Sequence, residues 1–227
     1  MPSFFQHLVW LPIRFIMLFF YNTEIKGLEN LKKINTNIIF ASNHISELDP
    51  LLLVSSLPFF SKFLPLYFVT LEKSFYKTKW SGWKKYLYGG IFFKIIGGYP
   101  AFKGLNNYEL ALSNHINLAN EGRNIVIFPA GKIFKGNSPI KAKGGVAYLS
   151  YKTKLPIIPV FIDHENKISF KNLFNVKPKF KIVFGLPVYT KDIFQNINEI
   201  IVNENRNDYE IAASVLMDKI INLCALN

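Results

Sequence analysis

The sequence predicts a single α/β domain, a mixed and largely parallel sheet flanked by helices, preceded by an N-terminal membrane-associating helix. Three observations carry that prediction. Short apolar runs alternate with helical stretches through short loops, the pattern of strands joined by crossovers. No repeat, low-complexity block or long linker divides the chain. Its 227 residues are the length of one ordinary domain. The reading assigns 1–21 to the membrane-associating segment and 22–227 to the domain proper.

The elements follow in order. Phe4 to Tyr21 is apolar but carries Gln6, His7, Pro12 and Arg14, which make it marginal as a membrane span. It lacks the basic region and cleavage site of a signal peptide. An amphipathic helix lying in the membrane interface fits, with Trp10 and Tyr21 at headgroup level; a buried helix of a soluble protein is the competing reading. Residues 22–36 are polar and read as a linker. Asn37 to Ala41 is a buried strand, and Asp49-Pro50 opens a helix that runs to Leu57. Leu66 to Leu71 is a second strand. Residues 72–95 interleave lysines with aromatic residues, which suits a lipid headgroup surface or a solvated basic helix face. Gly97-Gly98-Tyr99-Pro100 is a turn signal. Asn107 to Asn120 has helical periodicity and is closed by Glu121-Gly122. Strands are then expected at Asn124–Phe128, Ile157–Ile162 and Lys179–Gly185, with Pro159 placing the middle one at an edge or bulge, or paired on one side only. The tail from about Asp208 to Leu226 is helical.

Composition narrows the function classes. Half the chain is hydrophobic and 22 residues are Phe, so apolar surface is left over once a core is filled. The net charge of +12 suits an anionic membrane surface or anionic substrates. No nucleic-acid recognition signature accompanies it, and no nucleic-acid partner is expected. The single cysteine, Cys224, excludes an intrachain disulfide and suits a reducing compartment. No set of His, Asp and Glu stands out at ligand spacing, so neither a metal nor another cofactor is expected. Asp163-His164-Glu165 reads as a polar turn after a strand.

The segment His44-Ile45-Ser46-Glu47-Leu48-Asp49 is the most informative. Imidazole titrates near neutrality and can take a proton from an alcohol. A carboxylate on the other ring nitrogen fixes its tautomer and stabilises the imidazolium. The residues alone leave a second reading open, in which Asp49 is an ordinary N-cap before Pro50 and His44 closes a strand. His44 and Pro129 each follow a predicted strand, so both can reach one crevice beyond the carboxyl edge of a sheet.

Four segments in order resemble the glycerolipid acyltransferases related to 1-acyl-glycerol-3-phosphate acyltransferase (lysophosphatidate acyltransferase). Asn43-His44-x-x-x-x-Asp49 matches that family's NHxxxxD. Gly97 to Lys103 is similar to its Gly-x-Ile-Pro-x-x-Arg block, with Lys103 in place of Arg. Phe128-Pro129-Ala130-Gly131-Lys132 resembles Phe-Pro-Glu-Gly-Thr, and Leu155 to Val160 resembles Val-Pro-Ile-x-Pro-Val. Lys143-Gly144 falls where the family has Lys-Gly. The resemblance spans about 35–165.

It implies transfer of a fatty acyl group from acyl-CoA or acyl carrier protein to the hydroxyl of a lysophospholipid acceptor, at the cytoplasmic face of a membrane. By the resemblance His44 is the general base and Asp49 orients it. Asn43, Lys103, Phe128, Pro129, Gly131 and Lys132 contribute to substrate binding, with the turn after Phe128 aiming backbone N–H groups at an anion. Lys103 offers an acceptor phosphate a point charge without arginine's bidentate fork. One departure stands out: Ala130 replaces the family's Glu, and Ile133 stands where Arg is common. It admits a different acceptor, acceptor binding reorganised around Lys132 and Lys135, or a noncatalytic relative that still holds lipid.

Overall fold

A computed structural model describes residues 1–72, 91–102, 104–105, 107–133, 141–164, 177–194 and 206–225. Lys103, Lys135 and residues 73–90 of the basic-aromatic segment lie outside the described residues. Among those described, the helices are α1 (Pro2–Phe20), α2 (Asp49–Ser56), α3 (Ile91–Ile96), α4 (Tyr108–Ala111), α5 (Ser113–Asn120), α6 (Gly145–Thr153), α7 (Thr190–Ile193) and α8 (Arg206–Asn222). The strands are β1 (Asn22–Lys26), β2 (Ile39–Ser42), β3 (Leu66–Thr70), β4 (Gly98–Pro100), β5 (Asn124–Ile127), β6 (Ile157–His164) and β7 (Lys179–Phe184).

They form one sheet in the order β1-β7-β6-β2-β5-β3-β4. Only the β6–β7 pair is antiparallel among the described strands. The central strands are apolar at nearly every position because both faces are covered. Ile39 and Ala41 of β2 face the core formed with α5, α6 and α8, while Ile38 and Phe40 face the core shared with α1 and α2. This period-two division of one short run between two cores makes the fold a three-layer sandwich.

Two expectations change in the structure, and the alternatives open for β6 narrow. Residues 22–26 are not linker but the edge strand β1, parallel to β7. Its polar side chains are those of a half-exposed edge, which carries little hydrophobic signal. Gly27 then turns the chain at φ +76°, where a Cβ would lie 1.9 Å from the Phe184 carbonyl oxygen; no other residue fits there. Gly98-Tyr99-Pro100 is not a turn but the opposite edge strand, β4, paired with β3. The strand is so short that its Pro interrupts no ladder on the outer side. Strand β6 lies between β7 and β2, inside the sheet rather than at an edge. Pro159 pairs with Ala41 of β2, while the antiparallel ladder to β7 begins only at Val160. On the β7 side Pro159 has no N–H to give, but its carbonyl accepts from Gly185 N–H (2.8 Å) just past the end of β7, and its ring lies close to Gly185, where a Cβ would meet it at 2.7 Å. Helix α6, by contrast, has no sequence signal to match: Gly, Val, Tyr, Ser and Thr are weak helix formers. It is held by burial of Val146, Ala147 and Leu149.

Helix α1 is amphipathic in the inverted sense. Its polar groups face the domain. Buried Gln6 donates from Nε2 to the carbonyls of Leu66 (2.7 Å) and Ile96 (2.9 Å), and its Oε1 accepts from Leu66 N–H (2.8 Å). Trp10 Nε1 donates to the Leu57 carbonyl and Arg14 Nη1 to that of Ser55, at the carboxyl end of α2. Met17 is wholly buried, and the Thr23 hydroxyl closes onto its carbonyl. Phe4, Leu8, Leu11, Phe15, Leu18 and Phe19 point outward and are exposed. The Trp10 indole N–H therefore serves the contact between α1 and the domain.

Replacing Gln6 by Leu strands the Leu66 N–H and two carbonyls. It should cost about 2–3 kcal/mol in a chemical denaturation curve, whereas Leu8→Ala on the outer face should stay within about 0.5 kcal/mol.

Candidate active site

Three neighbouring parallel strands end on one edge of the sheet, with β2 between β5 and β6. Just beyond β2 comes His44, just beyond β5 comes Phe128, and β6 ends at His164. Topology thus gathers three rings at the carboxyl edge, where open α/β sheets form their sites.

Asp49 holds the centre. Its side chain is completely buried and accepts four hydrogen bonds. Oδ2 takes one from His44 Nδ1 (2.8 Å), one from Ile45 N–H (2.7 Å) and one from Ser46 N–H (2.9 Å); Oδ1 takes one from His164 Nε2 (3.2 Å). Burial pushes its pKa up. The hydrogen bonds from His164, His44 and the Ser46 backbone, with the charge of His44, outweigh burial and hold the carboxyl below its ordinary value. None of these donors belongs to the first turn of α2, and the helix has no side-chain cap. The N-cap reading of Asp49 therefore fails, because the carboxylate reaches back over the preceding loop.

That contact fixes the imidazole. An ionised carboxylate only accepts, so His44 carries its proton on Nδ1 and keeps a lone pair on Nε2, on the far side of the ring. Phe128 stacks on the His44 ring with centroids 4.1 Å apart and planes 20° from parallel. The ring plane is thus set by Phe128 and its rotation by Asp49, while the side chain stays 17% exposed and reachable.

The remaining expected residues divide. Asn43 is buried, and its amide clamps the backbone of one residue of β6, donating to the Ile162 carbonyl (2.7 Å) and accepting from Ile162 N–H (2.8 Å). It ties the end of β2 to β6 through both ends of its amide. Pro129 is buried and its carbonyl accepts from Lys143 N–H (2.9 Å). Gly131 sits at φ +62°, with the Lys143 side chain passing within 3.0 Å of where a Cβ would stand. Its N–H donates to the Phe128 carbonyl (2.9 Å), so that group closes the turn instead of facing an anion. Lys132 and Lys143 are exposed beside this turn. Ala130 is buried in the core formed with α5, α6 and α8, an apolar setting for the position.

Sequence reading passed over His164 as part of a polar turn. The available signal was its place at the end of an apolar run, the same place that His44 holds after β2. His7 lies against the Ser3 and Phe59 carbonyls on α1. His115 is enclosed in α5, where burial pushes its ring down to about 4 against backbone contacts with Phe68 and Tyr99. Both lie apart from this edge of the sheet.

The model of the family described as Acyltransferase matches residues 22–163. The chain is 26% identical over 149 residues to a 1-acyl-sn-glycerol-3-phosphate acyltransferase of Borreliella burgdorferi. That alignment covers 66% of this chain and 54% of the relative, so the chain spans about half of that protein's length. The crystal structure of the 1-acyl-sn-glycerophosphate (LPA) acyltransferase PlsC from Thermotoga maritima superposes with a TM-score of 0.58 at 19% identity. It covers 97% of this chain and 78% of the other, a likeness of fold.

Asp49→Ala should cost about 2–4 kcal/mol at neutral pH, because it orphans two backbone N–H groups and His164. The folded carboxyl lies below its unfolded value, so its contribution is complete above the unfolded value of about 4 and is lost as pH falls through the folded one. Denaturation curves of the two proteins should therefore converge as the solution is acidified.

Proposed function

The chain belongs to the acyltransferase family, and from that membership we propose a membrane-associated O-acyltransferase of phospholipid biosynthesis or remodelling. It moves a fatty acyl group from an acyl thioester, on coenzyme A or acyl carrier protein, to the hydroxyl of a lysophospholipid such as 1-acyl-glycerol-3-phosphate. The observation that carries this reading is the His44–Asp49 contact, with His44 held in the tautomer that leaves Nε2 to accept a proton.

In this mechanism Nε2 of His44 takes the acceptor hydroxyl's proton as that oxygen attacks the thioester carbonyl. Asp49 stabilises the imidazolium while the tetrahedral intermediate carries the charge. Collapse breaks the carbon–sulfur bond, and the departing sulfur receives the proton from Nε2. No acyl-enzyme is required. Phe128 keeps the base in plane, and Lys132 and Lys143 supply positive charge beside the turn for an acidic substrate group.

Helix α1 supports membrane association. It is long and apolar enough to cross a bilayer by length and composition. Gln6, Trp10 and Arg14 nevertheless bond it to the domain over three turns, which favours lying along the interface with the Phe15 and Phe19 face in lipid. The contacts of its Arg14, Trp10 and His7 fall in turn on Ser55 in the last turn of α2, on Leu57 and on Phe59 beyond it, so α1 runs opposite to α2 and the chain that follows it. The carboxyl end of α1 therefore points the same way as Asp49, and a lipid acceptor would meet His44 from that side. Ala130 favours a second reading, a noncatalytic protein that binds lipid through the same fold.

His44→Ala should lower transfer from labelled acyl-CoA or acyl carrier protein to a lysophosphatidate acceptor by roughly 10²–10⁴-fold with the fold retained. Transfer by neither protein, from folded samples that still bind lipid, would decide for the second reading. Phe15→Asp with Phe19→Asp should weaken sedimentation with anionic phospholipid vesicles at least about tenfold, while unfolding curves stay close to those of the parent.

A further inference from the structure

The catalytic pair of the proposed reaction uses one oxygen of Asp49. The other is held by His164, a residue that the motif resemblance does not include. Its side chain is only 6% exposed and is packed with its ring tilted 27° to that of Phe180 on β7, centroids 6.4 Å apart. Nε2 lies 3.2 Å from Oδ1. Asn43 clamps the backbone of Ile162, two residues before His164, to the end of β2. The distance between His164 and the His44 loop is therefore set by buried backbone contacts rather than by a free side chain.

We infer that His164 is a positioning residue of the active site, holding Asp49 through Oδ1 so that Oδ2 stays aimed at His44 Nδ1. This inference rests on the acyltransferase reading for its effect on rate, and on geometry alone for its effect on His44. A buried carboxylate oxygen without a donor is costly, and the two backbone N–H groups on Oδ2 keep the carboxylate beside Nδ1 but leave Oδ1 unsatisfied. With His164 donating to it, Asp49 cannot rotate without breaking a bond at each oxygen. The bond has a second effect. A donor on Oδ1 disperses the carboxylate's charge and tempers its pull on the His44 proton. His44 then returns that proton readily to the leaving sulfur.

The ionisable side chains that act on Asp49 are His164 and His44. Asp163 lies opposite Lys181 in the β6–β7 register, on the other face of the strand from His164. Removing His164 therefore changes one ionisable contact to this carboxylate, and the sign of the effect on His44 is fixed: its affinity for a proton rises.

The test is a nuclear magnetic resonance titration of the His44 imidazole in the full chain, beside acyl-transfer rates. The set is the parent, His164→Phe and His164→Gln. Phe keeps the packing on Phe180 and removes the donor, whereas Gln restores an N–H at similar reach. Expected in His164→Phe are an upward shift of the His44 titration by about half a unit or more and a fall in kcat of roughly ten- to a hundredfold. The acidic limb of the kcat profile should move up in parallel, and Gln should recover most of each. A folded His164→Phe protein whose His44 titrates as in the parent overturns the inference, whatever its transfer rate. Should that variant not fold, the parent's spectrum decides, because a His164 ring with its proton on Nδ1 alone cannot make the bond and overturns it. Absence of transfer in the parent overturns the acyltransferase reading, while the titration still decides the role of His164.

Discussion

The buried carboxylate of Asp49 is the constraint around which this edge of the molecule is arranged. A fully enclosed charge is tolerated only when its lone pairs are met by donors. Here the donors come from two backbone N–H groups of one loop and from two imidazoles, one just beyond β2 and one at the end of β6. The loop between β2 and α2 must fold back over Asp49 to supply them. That fold-back displaces Asp49 from any capping role and carries His44 into position. Removal of any donor leaves the others bonded to a charge that is less well satisfied, so the group behaves as one unit rather than as separable contacts.

The sheet makes the arrangement possible. β5, β2 and β6 run in the same direction, so their carboxyl ends deliver Phe128, His44 and His164 to one place without any long loop. The Asn43 clamp on Ile162 does for the backbone what Asp49 does for the side chains, locking the ends of β2 and β6 together. Phe128 then closes the third side of the His44 ring by stacking. A rigid scaffold of this kind suits the general-base chemistry proposed for it, in which a ring nitrogen has to wait in the right tautomer and plane.

Helix α1 answers a different physical demand. Its polar residues would be expensive in lipid, and Gln6, Trp10 and Arg14 are bonded to carbonyls of the domain. The apolar residues left outside would be equally awkward in water. Inverting the usual amphipathic arrangement would resolve both problems at the membrane surface proposed for it. It also makes the helix part of the folded domain, since Gln6 completes the hydrogen bonding of β3 and Met17 fills the core.

Much of the fold was legible in the sequence because its central strands are buried on both faces. The apolar runs at residues 37–41, 124–128 and 157–162 are continuous, short and rich in β-branched residues, the pattern of a strand covered on both sides. Each forms a strand over most of its length. The edge strands β1 and β4 and the helix α6 were not legible. Their hydrogen bonds and burial come from neighbours distant in the chain, and their own residues have weak propensities. At the site, sequence determined His44 and Asp49, because five residues of spacing bring the two side chains together locally. It could not reveal that Asn43 holds a strand, that Gly131 closes a turn, or that His164 shares the carboxylate. Asp49 and His164 are 115 positions apart, and they meet only because β6 pairs beside β2 and runs past its end. That register is decided by packing across the whole sheet, not by any local pattern of residues.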